Sequence, residues 1–213
     1  MRIIAGQFRS RTLHAPGGVG TRPTSDRLRE TLFNVLAPRI EGAAFLDLYA
    51  GSGAVGIEAL SRGAASAAFV ERAPGALAAL RANLARLGLR EGFAIHSCSV
   101  GSWLRRAEKE FEAGSKQGRS AGSPQRFDLV FLDPPYDAAE DYAATLRLLG
   151  GAAGTLLNPD ALVIAEHRGK GGGKERLEER YGALERTRLL VQGDAALSFY
   201  TGRASGVENS TQE

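Results

Sequence analysis

Four consecutive residues, Asp133, Pro134, Pro135 and Tyr136, carry the most specific chemistry in the chain. The two prolines stiffen this segment and fix the direction of its neighbours. An exocyclic amino group on a nucleic-acid base is a poor nucleophile, because its lone pair is delocalised into the ring. The Asp133 carboxylate and a carbonyl near Pro134 can accept its N–H bonds and aim the lone pair at a sulfonium methyl group. Tyr136 can stack on a base swung out of its helix. The structural alternative is a helix-stopping turn with an aspartate cap and a core tyrosine.

A glycine-rich turn provides a second candidate site. The run from Asp47 to Gly56 reads DLYAGSGAVG and follows an apolar stretch. Gly51 and Gly53 allow a tight turn and a close approach of the backbone to a ligand. The spacing alone fits a dinucleotide site with Glu71 on the ribose, an S-adenosylmethionine site, or a structural turn. Two features favour S-adenosylmethionine: Asp47 can interact with a methionine ammonium, and Glu71 can accept both ribose hydroxyls.

Alternating apolar runs and helical segments would position both candidate sites. They predict an α/β fold with a mostly parallel sheet, helices on both faces and a closing antiparallel strand pair. Strands are predicted at residues 45–48, 67–70, 93–96, 127–132 and 161–165, helices at 54–61, 74–87 and 138–149, and the closing pair at 187–191 and 197–200. Ligands of open α/β sheets bind at the carboxyl ends of the strands, so the two candidate sites are expected to face one crevice.

The first 40 residues form a basic segment. They contain seven arginines and only two carboxylates, although the whole chain has a net charge of +3. The segment is predicted to hold a hairpin or irregular strand pair at residues 2–13 and a helix that Thr24 or Ser25 caps and Pro38 closes. The excess of positive charge suggests a phosphate-binding arm, or else a solvated basic face.

The chain is predicted to divide into a basic extension at residues 1–40, a globular domain at 41–202 and a disordered tail at 203–213. The polar stretch from Glu112 to Gln125 is predicted to be poorly ordered. Cys98 is the only cysteine, and the three histidines show no metal-ligand spacing, so neither a disulfide nor a metal is expected. No apolar run approaches the length of a membrane span and no signal-peptide pattern is present. A cytoplasmic protein without a membrane partner is therefore expected.

Several motifs resemble one family of bacterial ribosomal RNA methyltransferases. Asp-Pro-Pro-Tyr is similar to the signature of enzymes that methylate base amino groups. More specific runs lie at residues 2–6 (RIIAG), 22–30 (RPTSDRLRE), 47–53 (DLYAGSG), 56–63 (GIEALSRG) and 197–200 (LSFY). Together they resemble the bacterial 16S ribosomal RNA guanine-N2 methyltransferase family, the RsmD family. The resemblance implies a Rossmann-like class I fold, S-adenosyl-L-methionine as cofactor, and one guanine of 16S rRNA in the small ribosomal subunit or its assembly intermediate as substrate.

The resemblance and the chemistry of the residues together suggest roles for individual residues. The catalytic loop is Asp133, Pro134, Pro135 and Tyr136. The candidate cofactor-binding residues are Asp47, Ala50, Gly51, Ser52, Gly53, Glu71, Arg72, Ser99 and Asp133. The candidate RNA contacts are Arg9, Arg11, Arg22, Thr24, Ser25 and Arg27. Ser99 stands where the family tends to carry an acidic residue near the adenine amino group, and the stretch at 112–125 is long for the family.

Three other functions fit parts of the pattern. A DNA adenine-N6 methyltransferase uses the same loop, but the chain offers no obvious segment large enough to read duplex sequence. A non-catalytic RNA-binding protein with a degenerate methyltransferase fold has no need of Asp133. A nicotinamide-dependent oxidoreductase has no use for the Asp-Pro-Pro-Tyr loop. The favoured hypothesis is a monomeric enzyme that methylates the N2 amino group of one guanine in 16S rRNA.

Overall fold

The computed structural model describes residues 1–15, 25–117, 126–135, 139–169 and 177–202. Its centre is a single eight-stranded sheet. The strands are β1 (Ala44–Leu48), β2 (Ser66–Glu71), β3 (Phe93–Ser97), β4 (Phe127–Leu132), β5 (Leu157–Arg168), β6 (Arg180–Tyr181), β7 (Leu184–Gln192) and β8 (Ala195–Gly202). They lie in the order β3-β2-β1-β4-β5-β8-β7-β6. The first five strands pair in parallel, and the last three continue the sheet antiparallel.

Helices cover both faces of the sheet, as a mostly parallel sheet requires. They are α1 (Asp26–Ile40), α2 (Ala54–Ser61), α3 (Pro74–Arg86), α4 (Val100–Gln117) and α5 (Ala139–Leu149), with a short 3₁₀ turn at Ala152–Leu156. One apolar core packs α1, α2 and α3 against the sheet, and a second packs α4 and α5 against the other face. Among the described helices, none is both long and apolar enough to span a membrane. The predicted Rossmann-like fold with its closing antiparallel strands is confirmed.

Helix α4 is the largest departure from the predicted elements. Trp103, Leu104, Ala107 and Phe111 recur at helical spacing and are buried in the second core. Arginine, lysine and glutamate separate these apolar residues, and this hid the amphipathic pattern. The prediction that residues 112–125 are poorly ordered is wrong for 112–117, which continue α4. The rest of that stretch lies outside the described residues.

Helix α1 runs through a proline that was expected to end it. Pro38 lies inside the helix, which continues to Ile40. A proline in the last turn removes one intrahelical hydrogen bond, and the burial of Leu36 and Ile40 in the first core favours the extra turn. The helix begins as predicted, because the side chain of Ser25 accepts a hydrogen bond from the backbone N–H of Leu28.

The first 15 residues pack closely on the body of the protein. They form turns with one antiparallel bridge between Arg2 and Thr12, so the expected strand pair is reduced to a single bridge. Ile3 and Leu13 lie in the same core as β1 and α2. The division of the chain at residue 40 remains a prediction, and the predicted tail at 203–213 lies outside the described residues.

Candidate functional site

The strand register places three of the predicted site carboxylates on one face of the sheet. Asp47 on β1 is aligned with Phe69 on β2 and with Phe131 on β4. Glu71 and Asp133 each lie two residues beyond those partners. Because side chains in a strand alternate between faces, Asp47, Glu71 and Asp133 project toward the same side at the carboxyl end of the sheet. The expected convergence of the two candidate sites follows from this register.

The glycine turn connects β1 to α2 through residues with left-handed backbones. Gly51 has a φ of 56°, and no described atom lies within 4 Å of the position that a Cβ there would occupy. Gly53 has a φ of 80°, and a Cβ there would lie 2.3 Å from a methyl carbon of Leu80. Gly53 therefore allows α3 to pack against the turn, whereas Gly51 faces open space into which a ligand can fit. Ala50, between Tyr49 and Gly51, ties the turn to β2 through its N–H.

Asp47 lies beneath this turn and is only 2% exposed. Its Oδ2 accepts a hydrogen bond of 2.8 Å from the backbone N–H of Gly56. Burial raises the pKa of the Asp47 carboxyl to about 8; the Gly56 hydrogen bond opposes this shift and the charge of Glu71 adds to it. A cationic group bound nearby would stabilise the ionised carboxylate, which fits the predicted interaction with a methionine ammonium.

Glu71 organises the same turn from the end of β2. Its Oε2 accepts a hydrogen bond from the N–H of Gly51 at 2.8 Å, and its Oε1 accepts from Arg72 and Ala73 at 2.7 and 2.8 Å. A carboxylate offers about four lone-pair sites, so it retains capacity for a further donor such as a ribose hydroxyl. Arg72 is exposed, and its N–H supports this carboxylate.

The predicted catalytic loop leaves β4 at Asp133, which is partly exposed, while Pro134 is buried. Although Asp133 keeps some exposed surface, the surrounding protein shields its carboxyl from water, and this desolvation raises its pKa well above the usual value; the charges of Glu166 and Asp47 raise it further. The buried hydroxyl of Tyr142 on α5 donates to the Glu166 carbonyl at 2.7 Å and lies 3.5 Å from the Pro134 carbonyl. Tyr136 lies outside the described residues.

Glu166 is an acidic group at the site that the sequence prediction missed. It follows Ala165, which is aligned with Leu132 immediately before Asp133, and it is buried. The predicted fifth strand ended at residue 165, whereas β5 continues to Arg168. An acidic residue immediately after an apolar run of alanine, leucine, valine and isoleucine was the available signal.

Ser99 serves the start of α4. Its Oγ contacts the Oγ of Ser102 at 2.9 Å and accepts a hydrogen bond from the Ser102 N–H at 3.3 Å. Cys98 and Ser99 follow the carboxyl end of β3, where an adenine contact was expected. The Ser99 hydroxyl has a capping role in α4, and its contact with adenine remains a prediction.

The predicted RNA contacts fall into two groups. Arg9, Arg11 and Arg27 are exposed, and Ser25 uses its hydroxyl as the α1 cap, whereas Arg22 and Thr24 lie outside the described residues.

Arg29 was counted in the basic segment but is 0% exposed. It pairs with Asp26 at 2.9 Å, donates to the Arg2 carbonyl and lies 3.8 Å from a Glu58 oxygen. Its charge is therefore neutralised inside the protein and is unavailable to phosphate.

Known proteins share this fold and sequence pattern over most of the chain. The family model described as conserved hypothetical protein 95 matches residues 1–201. The putative rRNA methyltransferase YlbH of Bacillus subtilis is 35% identical over 203 residues, which cover 95% of this chain and 100% of YlbH. The ribosomal RNA small subunit methyltransferase D of Escherichia coli K12 is 44% identical over 136 residues, which cover 64% of this chain and 60% of that enzyme.

A solved structure supports the same relationship. The putative methyltransferase yhhF from Escherichia coli superimposes with a TM-score of 0.75 at 33% identity, covering 96% of this chain and 98% of that one. Sequence and structure agree over nearly the whole chain, which also excludes the nicotinamide-dependent alternative. The chain therefore belongs to the conserved hypothetical protein 95 family, the RsmD family that its motifs resemble, and is a methyltransferase.

Proposed function

We propose that the enzyme transfers a methyl group from S-adenosyl-L-methionine to the exocyclic N2 amino group of one guanine in 16S rRNA of the small ribosomal subunit. The observation that carries the proposal is the register that puts Asp133 on the same face and edge of the sheet as Asp47 and Glu71. The relatives named for ribosomal RNA methylation support the substrate class, although the match to the E. coli enzyme spans only 60% of its length.

The glycine turn and its carboxylates would hold the cofactor. Gly51 leaves open space beside the turn, Glu71 has a free acceptor site for ribose, and Asp47 would stabilise a cationic ammonium. The bound cofactor supplies an electrophilic methyl group on a sulfonium. The positive charge of the bound cofactor would favour the ionised forms of Asp47 and Asp133, whose pKa values are raised by burial.

Asp133 and the Pro134 carbonyl would orient the guanine amino group. Each accepts one N–H bond, which draws the nitrogen toward tetrahedral geometry and points its lone pair at the methyl group. Positive charge develops on the nitrogen during transfer, and the Asp133 carboxylate stabilises it. The raised pKa of Asp133 then suits it to take the proton that the nitrogen must lose. Tyr142 supports this loop from α5.

The exposed arginines of the basic segment would bind RNA phosphates. Arg9, Arg11 and Arg27 are exposed, and Arg22 and Thr24 are predicted to lie with them near the target base. Phosphate contacts release counterions, so the rate at subsaturating RNA is expected to fall as salt rises. The proposal places a monomeric enzyme in the cytoplasm, where it acts on the small subunit or on its assembly intermediate.

The test is methylation of small-subunit particles taken from cells that lack this protein. Purified enzyme and labelled S-adenosylmethionine are added, and the 16S rRNA is digested and analysed by mass spectrometry. We expect one N2-methylguanosine in the treated particles and its absence from untreated ones. The same reaction is run with duplex DNA in place of the particles, and methylation of an adenine there would support the adenine-N6 alternative. RNA binding without methyl transfer would support the non-catalytic alternative.

A further inference from the structure

One buried side chain, Asn83 on α3, joins the glycine turn to the N-terminal segment. Its exposed fraction is 0%. The Oδ1 of Asn83 accepts a hydrogen bond from the His14 N–H at 2.8 Å, and its Nδ2 donates to the His14 carbonyl at 3.0 Å. The same Nδ2 donates to the Ser52 carbonyl at 3.0 Å. A single amide therefore fixes one residue of the N-terminal segment and one peptide group of the turn.

The bond to Ser52 determines how the turn presents its backbone. The Ser52 carbonyl and the Gly53 N–H belong to one planar peptide unit. Asn83 holds the carbonyl, and the Gly53 N–H donates to the Ala50 carbonyl at 2.7 Å. Rotation of this peptide would break both bonds. Asn83 thus stabilises the conformation of the turn that borders the proposed cofactor site.

The bonds to His14 hold the end of the first described stretch, residues 1–15, against α3. Arg86, one helical turn beyond Asn83, places its Nη1 2.7 Å from the His14 Nε2, and its carbonyl lies 3.5 Å from the Arg11 guanidinium. Residues 16–24, which include the predicted RNA contact Arg22, follow closely in the sequence. Helix α3 therefore holds His14 and contacts Arg11, which is itself a predicted RNA contact.

A second anchor of the N-terminal segment lies at the other end of α2 from the turn. The Ser61 Oγ donates to the Ala5 carbonyl at 2.6 Å and accepts from the Phe8 N–H at 2.9 Å. These bonds hold the segment through residues 5 and 8. Ser61→Ala is thus a matched control, since it loosens the segment and leaves the Asn83–Ser52 bond in place.

We propose that Asn83 is a positioning residue for both substrates, so that its loss weakens the binding of S-adenosylmethionine and of the ribosomal particle together. The inference rests on the proposed function. Removal of the amide leaves the buried Ser52 carbonyl without this donor, and an unsatisfied buried group is costly enough to displace the backbone that carries it. The same change removes both hydrogen bonds that hold the backbone of the exposed His14 against α3. The turn and the N-terminal segment both relax as a result.

The test compares Asn83→Leu, which keeps most of the volume, with Ser61→Ala. Affinity for S-adenosylmethionine is measured by calorimetry without RNA, and the KM for particles is measured by methyl transfer. For Asn83→Leu we expect about tenfold weaker cofactor binding and about tenfold higher KM for particles, the scale of one or two lost buried hydrogen bonds. For Ser61→Ala we expect a raised KM for particles and a cofactor affinity within about twofold of wild type.

Two results would overturn the role of Asn83. One is wild-type cofactor affinity in folded Asn83→Leu; the other is equal weakening of cofactor binding in Ser61→Ala. If Asn83→Leu does not fold, Asn83→Asp keeps the shape and the acceptor but removes donors, and the same two losses are expected. Failure of the proposed function has a different signature: wild-type protein binds S-adenosylmethionine and responds to the Asn83 change in calorimetry, yet methylates no particle.

Discussion

Glu58 on α2 and Asp47 on β1 are two buried carboxylic acids, with exposed fractions of 0% and 2%. Glu58 is surrounded by positive groups. Its Oε1 lies 2.7 Å from the Arg62 guanidinium, and its Oε2 lies 3.8 Å from that of Arg29. The backbone N–H groups of residues 4 and 5 also donate to it, at 2.8 and 3.0 Å.

Asp47 has the opposite surroundings. It accepts one backbone hydrogen bond, from Gly56. The charge of Glu71 acts on Asp47, and the charge of Glu166 acts on the neighbouring Asp133. The comparison separates two uses of a buried acid. Glu58 has its countercharges inside the protein and joins the N-terminal segment to α2. None of these groups near Asp47 carries a positive countercharge, and a cationic ligand would provide one.

The largest expected effect is on the structural side of this comparison. Glu58→Ala leaves Arg29 buried without that carboxylate and frees two backbone N–H groups, which should lower the free energy of unfolding by about 3–5 kcal/mol. Urea denaturation measures this change. Glu110→Ala is the control, because its exposed pair with Arg106 on α4 should contribute at most about 0.5 kcal/mol. Equal losses in the two variants would contradict the structural role of Glu58.

On the catalytic side, Asp133→Ala should slow methyl transfer about 100-fold or more and leave cofactor affinity nearly unchanged. The reason is that its hydrogen bond strengthens as positive charge develops on the nitrogen in the transition state. Asp133→Asn should be milder, because the amide oxygen still accepts one N–H bond. Single-turnover transfer to small-subunit particles measures the rate. Near wild-type turnover in folded Asp133→Ala would exclude this loop as the active centre.

Glu71→Ala should weaken cofactor binding by roughly 1–3 kcal/mol, the scale for hydrogen bonds to a charged group. Calorimetry measures the loss, but Glu71 also holds the Gly51 N–H, so an indirect effect must be separated. A cofactor analogue without the ribose 2′-hydroxyl does this. In the wild-type protein, the analogue should bind more weakly than the cofactor. In Glu71→Ala, the analogue and the cofactor should bind with equal affinity. A similar penalty in both proteins would leave Glu71 with only the turn to support.

Asp47 should make stability depend on pH. Its carboxyl has a pKa of about 8 in the folded protein, whereas the ordinary value for an aspartate, expected in the unfolded chain, is 3.8. Between these values the folded state holds a proton that the unfolded state has released, so the contribution of Asp47 to stability falls as pH rises, by up to about 1.4 kcal/mol per pH unit. The loss levels off above about pH 8. The free energy of unfolding of Asp47→Asn, measured relative to that of wild type, should therefore increase steadily from pH 5 to pH 8. A pH-independent difference would contradict the raised pKa.

The smallest expected effect concerns Arg27, an exposed arginine of α1 that, unlike the buried Arg29, can reach RNA phosphates. Arg27→Ala should raise the KM for particles severalfold and reduce the salt dependence of log KM by about one phosphate contact, whereas stability should hardly change. Arg39→Ala is the control, because Arg39 donates to the Asp160 carbonyl near the amino end of β5, away from the site. An unchanged salt dependence in Arg27→Ala would remove this residue from the RNA contacts.

The carboxyl edge of the sheet could be predicted from the sequence because its signals are local. Buried parallel strands appear as short apolar runs, and Asp47, Glu71 and Asp133 mark where three of them end. Glu166 was missed only because β5 extends beyond the apolar run, to Arg168. Helix α4 was missed because charged residues interrupt its apolar positions.

The burial of Arg29 could not be predicted in the same way. An arginine in a basic segment is ordinarily solvent-exposed, and Arg29 is buried beside Asp26 on its own helix, the Arg2 carbonyl and Glu58 on another helix. The role of Asn83 depends likewise on His14 and Ser52, both distant in the sequence. Contacts of this kind follow from the packing of whole elements, which no local pattern records.

The place of β8 in the sheet has a consequence for biosynthesis. This strand comprises residues 195–202 yet lies between β5 and β7. During translation, the twelve-residue β5 therefore keeps one unpaired edge until residue 202 has left the ribosome. A nascent or prematurely terminated chain exposes that edge to other strands, which is a route to aggregation. A chain whose synthesis stops within β8 would thus keep the edge of β5 that β8 normally covers unpaired.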